Sequence, residues 1–118
     1  MRHLFAIAAA ALVLGTPAAF AANPVGIYKV EGTNPGDGSK YTGTVKVEKT
    51  GETYRVIWIV GGTQYDGTGI GNKDFIAVSY KSGKDTGLAL YGEDGGNWAG
   101  VWTYANGRQV GAEIWKRQ

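Results

Sequence analysis

The sequence predicts an all-β fold: an eight-stranded antiparallel up-and-down barrel following a cleaved signal peptide. Three observations predict it. Turn residues punctuate the chain at near-regular intervals, at "NPGDGS" (34–39), "TG" (50–51), "GG" (61–62), "GNK" (71–73), "SGKD" (82–85), "EDGG" (93–96) and "NG" (106–107). The runs between them are short and rich in Val, Ile, Thr, Tyr and Trp, types that suit a pleated, half-buried surface. No stretch after the leader has apolar residues at helical spacing over a length that competes. Seven short connections describe a meander, and closing it removes two edges that an exported protein otherwise has to defend.

The leader comes first. Arg2 and His3 give a charged start, Leu4 to Leu14 an apolar run, and Ala19-Phe20-Ala21 a small-x-small cleavage pattern. That run, about 11 residues, is short for a bilayer span. A signal peptide over 1–21 leaves one domain over 22–118, with no membrane span and a periplasmic or extracellular destination. The chain has no cysteine, so a single core must hold it without disulfides. Losing Arg2 lowers the formal charge of +2 by one, and the remaining charges of both signs are scattered. Such a surface does not grip nucleic acid.

The strands are expected near 26–31, 40–48, 53–60, 64–70, 74–80, 87–91, 97–104 and 108–116. A weak internal repeat supports a hairpin unit. "YTG" (41–43), "YDG" (65–67) and "WAG" (98–100) each open a strand and are each followed, after a turn, by a strand carrying an aromatic. In each the glycine is expected to make room for a ring from a neighbouring strand.

Two hairpins fix the faces. A two-residue turn at Asn106-Gly107 sets Trp102 opposite Gly111, Gly100 opposite Glu113 and Trp98 opposite Trp115. A turn at Thr50-Gly51 sets Gly43 opposite Trp58, Val45 opposite Val56 and Val47 opposite Tyr54. The other face of that hairpin carries Lys46, Glu48 and Arg55 and must be wet. The aromatic-and-glycine face therefore points inward. An eight-stranded interior is filled by side chains or holds one small ligand, and Tyr54, Trp58, Tyr65, Tyr91, Trp98, Trp102, Glu113 and Trp115 are expected to line it. A buried Glu113 needs a partner, either a tyrosine hydroxyl or Arg117, or else a cationic or hydrogen-bonding ligand.

With the rings inside, Leu88, Leu90, Ala99, Val101, Val110, Ala112 and Ile114 face outward together, and Ile57 and Ile59 do so on the third strand. A contiguous aliphatic patch normally meets a partner, so self-association or docking on another protein is expected here. A bulge that reverses the faces in the second half is the competing arrangement. A chain without Cys, whose only His lies in the leader, builds no Ser-His-Asp, Cys-His or His-metal site. "NPGDGS" and "EDGGN" lack the spacing of a calcium loop. No catalysis, cofactor or metal is expected.

The stretch "GIYKVEGTNPGDGSKYTGTVKVEKTGETYRVIW", with "YDGTGI" and the final "GAEIW", resembles a family of small exported bacterial proteins often labelled fibronectin-binding. That resemblance implies contact with an extracellular-matrix protein and supplies no catalytic residue. The chain also resembles calycin barrels, the avidins and lipocalins. Gly26-Ile27-Tyr28 is similar to their opening Gly-x-Trp, and Arg117 stands where lipocalins cover that ring with a basic residue. "YTGTV" and "WAGVW" are similar to avidin strands, but no Ser- and Asn-rich loop is present for a biotin-like head group. The chain is expected to be a protein-contact barrel, with a carrier of a small apolar or aromatic ligand and a structural envelope component as the alternatives.

Overall fold

The protein is described by a computed structural model covering residues 23–118, so the expected signal peptide lies outside the described residues. Eight strands follow one another: β1 (Gly26–Thr33), β2 (Lys40–Thr50), β3 (Thr53–Val60), β4 (Thr63–Gly71), β5 (Phe75–Ser82), β6 (Asp85–Asp94), β7 (Asn97–Tyr104) and β8 (Gly111–Arg117). Each pairs antiparallel with its chain neighbours, and β1 pairs with β8 to close the barrel. The period-2 alternation of a strand is plain in β8, where Gly111, Glu113 and Trp115 point in while Ala112, Ile114 and Lys116 point out. In β3, Tyr54, Val56 and Trp58 point in.

The β7–β8 register is the expected one: Trp98 faces Trp115, Gly100 faces Glu113 and Trp102 faces Gly111. The faces are not reversed in the second half. Three details differ from the sequence reading. The β2–β3 turn is Gly51-Glu52, so Gly43 faces Val60, Val45 faces Trp58 and Val47 faces Val56. Gly51 takes φ 62° at the first central position, where a two-residue hairpin of the II′ kind calls for glycine. The shift is two residues, which leaves every side chain on its expected face. Second, β6 runs from Asp85 to Asp94 rather than over 87–91.

Third, the two-residue turn expected at Asn106-Gly107 is not formed, and β8 begins at Gly111, not at 108. The Gly107 N–H donates to the Tyr104 carbonyl, and the Thr103 hydroxyl donates to the Gln109 carbonyl at 2.7 Å. These bonds lift residues 105–110 off the ladder. Val110, expected on the outer sheet face, consequently sits exposed in this connection.

Antiparallel order places the β1–β2, β3–β4, β5–β6 and β7–β8 connections at one end and the chain termini at the other. The terminal end is packed shut. Tyr28, Trp98 and Trp115 are fully buried there, with Trp115 4.1 Å from the Tyr91 ring and 5.5 Å from that of Tyr28, centroid to centroid. The Arg117 guanidinium lies 4.7 Å from the Tyr28 ring, a cation–π contact. It also donates to the Tyr28 hydroxyl at 2.7 Å and to the carbonyls of Asn23 and Val25, which ties the first described residues across the end.

Candidate functional site

The opposite end is open. A cavity of about 300 Å³ enters there, lined by Asn34, Tyr41, Trp58, Val60, Tyr65, Tyr80, Asp85, Ala89, Tyr91, Trp102, Tyr104 and Glu113. Its size lies at the lower end of the small-molecule range. A small residue, Ala89, lies on its wall, while Gly67 and Gly87, also inward, are already packed against Val78 and Trp58 and against Tyr80. A Cβ on Gly67 falls 2.6 Å from the Val78 side chain and 3.0 Å from the Trp58 ring, and one on Gly100 meets the Leu90 carbonyl first and the Tyr91 ring at 2.7 Å. At these two repeat units the glycine makes room for a ring, but for a second neighbouring group as well. At Gly43 it makes room for no ring: a Cβ there meets the Val60 side chain and the Ile59 carbonyl.

Glu113 organises the interior. Its Oε1 accepts from Trp58 Nε1 at 3.0 Å, from the Tyr91 hydroxyl at 2.7 Å and from Trp115 Nε1 at 2.8 Å. Its Oε2 accepts from the Tyr41 hydroxyl at 2.5 Å. Four donors converging from β2, β3, β6 and β8 match the acceptor capacity of an ionised carboxylate. The partners include tyrosine hydroxyls, one of the alternatives expected; Arg117 is not among them and serves the closed end. Among the described residues, two buried side-chain polar atoms lack a partner, Nε1 of Trp98 and of Trp102. The Trp102 nitrogen lies against Gly111, where an added Cβ would come within 2.8 Å of it.

Of the expected interior residues, Trp58, Tyr65, Tyr91, Trp102 and Glu113 line the cavity. Tyr54, Trp98 and Trp115 point inward but belong to the packed part of the core. Sequence reasoning missed Asn34, Tyr41, Val60, Tyr80, Asp85, Ala89 and Tyr104. Tyr41 and Tyr80 carry a signal that could have found them, since each falls on the inward parity of a strand whose faces were assigned. Asn34 and Asp85 lie beside turns and carry none. The expected outer residues Leu88, Leu90, Val101 and Ile114 are exposed; Ala112 is exposed and Ala99 half-buried.

No family model matches the sequence, and no curated protein aligns with it significantly.

Burial raises the Tyr41 and Tyr91 hydroxyls well above the ordinary tyrosine range, and the Glu113 charge adds to the effect. The Tyr80 hydroxyl is pushed up to about 12, by burial first and then by Tyr104, Tyr65, Glu113 and Asp85. Burial also raises Tyr28, against the opposing pull of Arg117. The folded state therefore keeps phenolic protons that the unfolded chain sheds above its value of 10.0. Stability from these groups is fully present below pH 10 and is lost as pH climbs through 12 and beyond. Followed by phenolate absorbance and circular dichroism together, part of the tyrosine titration should appear only as the barrel unfolds. Complete titration near pH 10 with the fold intact contradicts this burial.

Proposed function

We propose that the protein is an exported, non-catalytic barrel that binds a small ligand in its open-end cavity. The observation that carries the reading is the contrast between the two ends of one interior. The terminal end is packed solid by Trp98, Trp115 and Tyr28, whereas the other presents seven aromatic rings around unfilled space. A barrel selected only for stability gains by filling such space, because each unfilled methylene-sized void costs roughly 1 kcal/mol. The rings supply apolar contact, and Glu113, held from four sides, supplies a fixed polar group. That combination suits a small-molecule site. The leader over 1–21 supports export.

The four tryptophans give site-resolved reporters. The indole N–H resonances of the mature protein, assigned by single Trp→Phe variants, should be followed while adding neutral indole or 2-naphthol. Saturable shifts at Trp58 and Trp102, with Trp98 unmoved, are expected. No shift up to the solubility limit, or equal shifts at all four, sinks the cavity reading.

A second reading is favoured by the outer surface. Registers align Ile70, Ala77, Leu90, Val101 and Ala112 in one row across β4 to β8. Phe75, Gly92, Ala99 and Ile114 form the next, and Leu88 extends the band. At strand spacings of about 4.8 Å this band covers roughly 300–400 Å². That is the apolar centre of an interface burying about 800 Å² per partner. Exposed pairs of both signs flank it, Lys116–Glu31 on one side and Arg55–Asp66 on the other. A charge-free centre with a mixed-sign rim is self-complementary, as a twofold contact requires, so a second copy of this chain is the occupant we assign to it.

A further inference from the structure

We infer that the cavity takes a small alkylated organic cation, of the quaternary ammonium kind; this rests on the ligand-binding reading above. Three observations carry it. The first is uncompensated charge. The lining contains two carboxylates, Glu113 and Asp85, and no lysine or arginine. Neither takes part in any ion pair found among the described residues. The four donors on Glu113 are neutral dipoles, so they satisfy its lone pairs and leave its charge in place. A cavity carrying that charge repels anions and attracts cations, and its low-dielectric walls strengthen both effects.

The second observation is the arrangement of the rings. Trp102 stands at 79° to Tyr41 and 68° to Tyr80, with centroids 6.0 and 6.3 Å away. Trp58 meets Tyr80 at 66° and 5.9 Å. These rings pack edge to face rather than in a flat stack, and seven aromatic residues line the cavity. A cation seated there is drawn to the ring faces that neighbours leave uncovered, the interaction by which aromatic cages hold quaternary ammonium ions.

The third observation is how little of the buried Glu113 carboxylate is left to accept. A primary ammonium brings three N–H donors that need partners once water is removed. Here Oε1 of Glu113 already accepts three bonds and Oε2 one. An alkylated ammonium brings no such demand and offers methyl groups to apolar walls. Its desolvation is therefore the less costly of the two in this cavity.

Choline, its neutral isostere 3,3-dimethylbutan-1-ol and the anionic 3,3-dimethylbutanoate separate charge from shape. Each should be titrated into the mature protein while the indole N–H resonances of Trp58 and Trp102 are followed. Choline is expected to bind at least about tenfold more tightly than the alcohol, and the carboxylate to show no saturable shift. Glu113→Gln puts the core network at risk, so the charge is tested at the rim: Asp85→Asn should weaken choline about threefold and leave the alcohol unchanged. Equal or tighter binding of the alcohol, saturable binding of the anion, or a preference for methylammonium over choline overturns the assignment but leaves a ligand cavity. Silence of choline also overturns it. Silence of all three probes and of neutral indole removes the cavity reading as well.

Discussion

Glu113→Ala is expected to lower the unfolding free energy by about 4 kcal/mol or more, because four donors lose their shared acceptor at once. Each buried donor left unpaired costs roughly 1–3 kcal/mol. The orphans are the hydroxyls of Tyr41 and Tyr91 and the indole nitrogens of Trp58 and Trp115. Water reaching in from the open cavity rescues some of them, which is why the lower end of the summed range is the expectation. Small domains have a total stability of about 5–15 kcal/mol, so the variant should be barely folded. Its melting temperature should fall by roughly 15–30 °C. Glu113→Gln keeps the volume but turns an NH₂ group toward donors, and an intermediate loss of about 2–3 kcal/mol is expected. Urea unfolding followed by tryptophan fluorescence measures both. A denaturation midpoint unchanged in the alanine variant would falsify the central role of this carboxylate.

Replacing both Val101 and Ile114 by lysine should abolish self-association while the barrel stays folded. Both side chains are exposed and belong to adjacent rows of the outer band, facing Ala112 and Ala99 across the β7–β8 ladder. In a twofold pairing the four introduced ammonium groups lie close to one another. Like-charge contact in an interface costs several kcal/mol, a loss of affinity of roughly 100-fold or more. Light scattering over a concentration series should show a dimer for the unaltered mature protein and a monomer for the variant, with matching circular dichroism. A monomer at every concentration for the unaltered protein rules out the second copy. The band then stands free for a foreign protein.

The inward and outward faces were legible because strand periodicity acts locally. Trp98, Trp102 and Trp115 share a parity with glycines that sit opposite or between them, and the β7–β8 register agrees with the expected one although a six-residue connection, 105–110, replaces the two-residue turn. The Thr50-Gly51 assignment missed by two residues because either Thr50 or Glu52 can flank Gly51 in a tight turn. Thr50 and Thr53 decide it, their side chains bonding across the turn. Val110 was misplaced for a similar reason, since the Thr103 hydroxyl competes with the ladder for the chain just before β8.

The sequence by itself determined a disulfide-free, eight-stranded barrel with its rings inside and its aliphatic residues in a band outside. Those properties follow from residue type, period and turn chemistry, which are read within one strand or one hairpin. Only the tertiary structure decided that one end is packed and the other open. It alone decided that Tyr41, Trp58, Tyr91 and Trp115 converge on Glu113 and that Arg117 is not among its partners. Closure brings β1 against β8 and sets side chains from non-adjacent strands across the same interior. Such contacts depend on the stagger of all eight strands together, and no single strand encodes them.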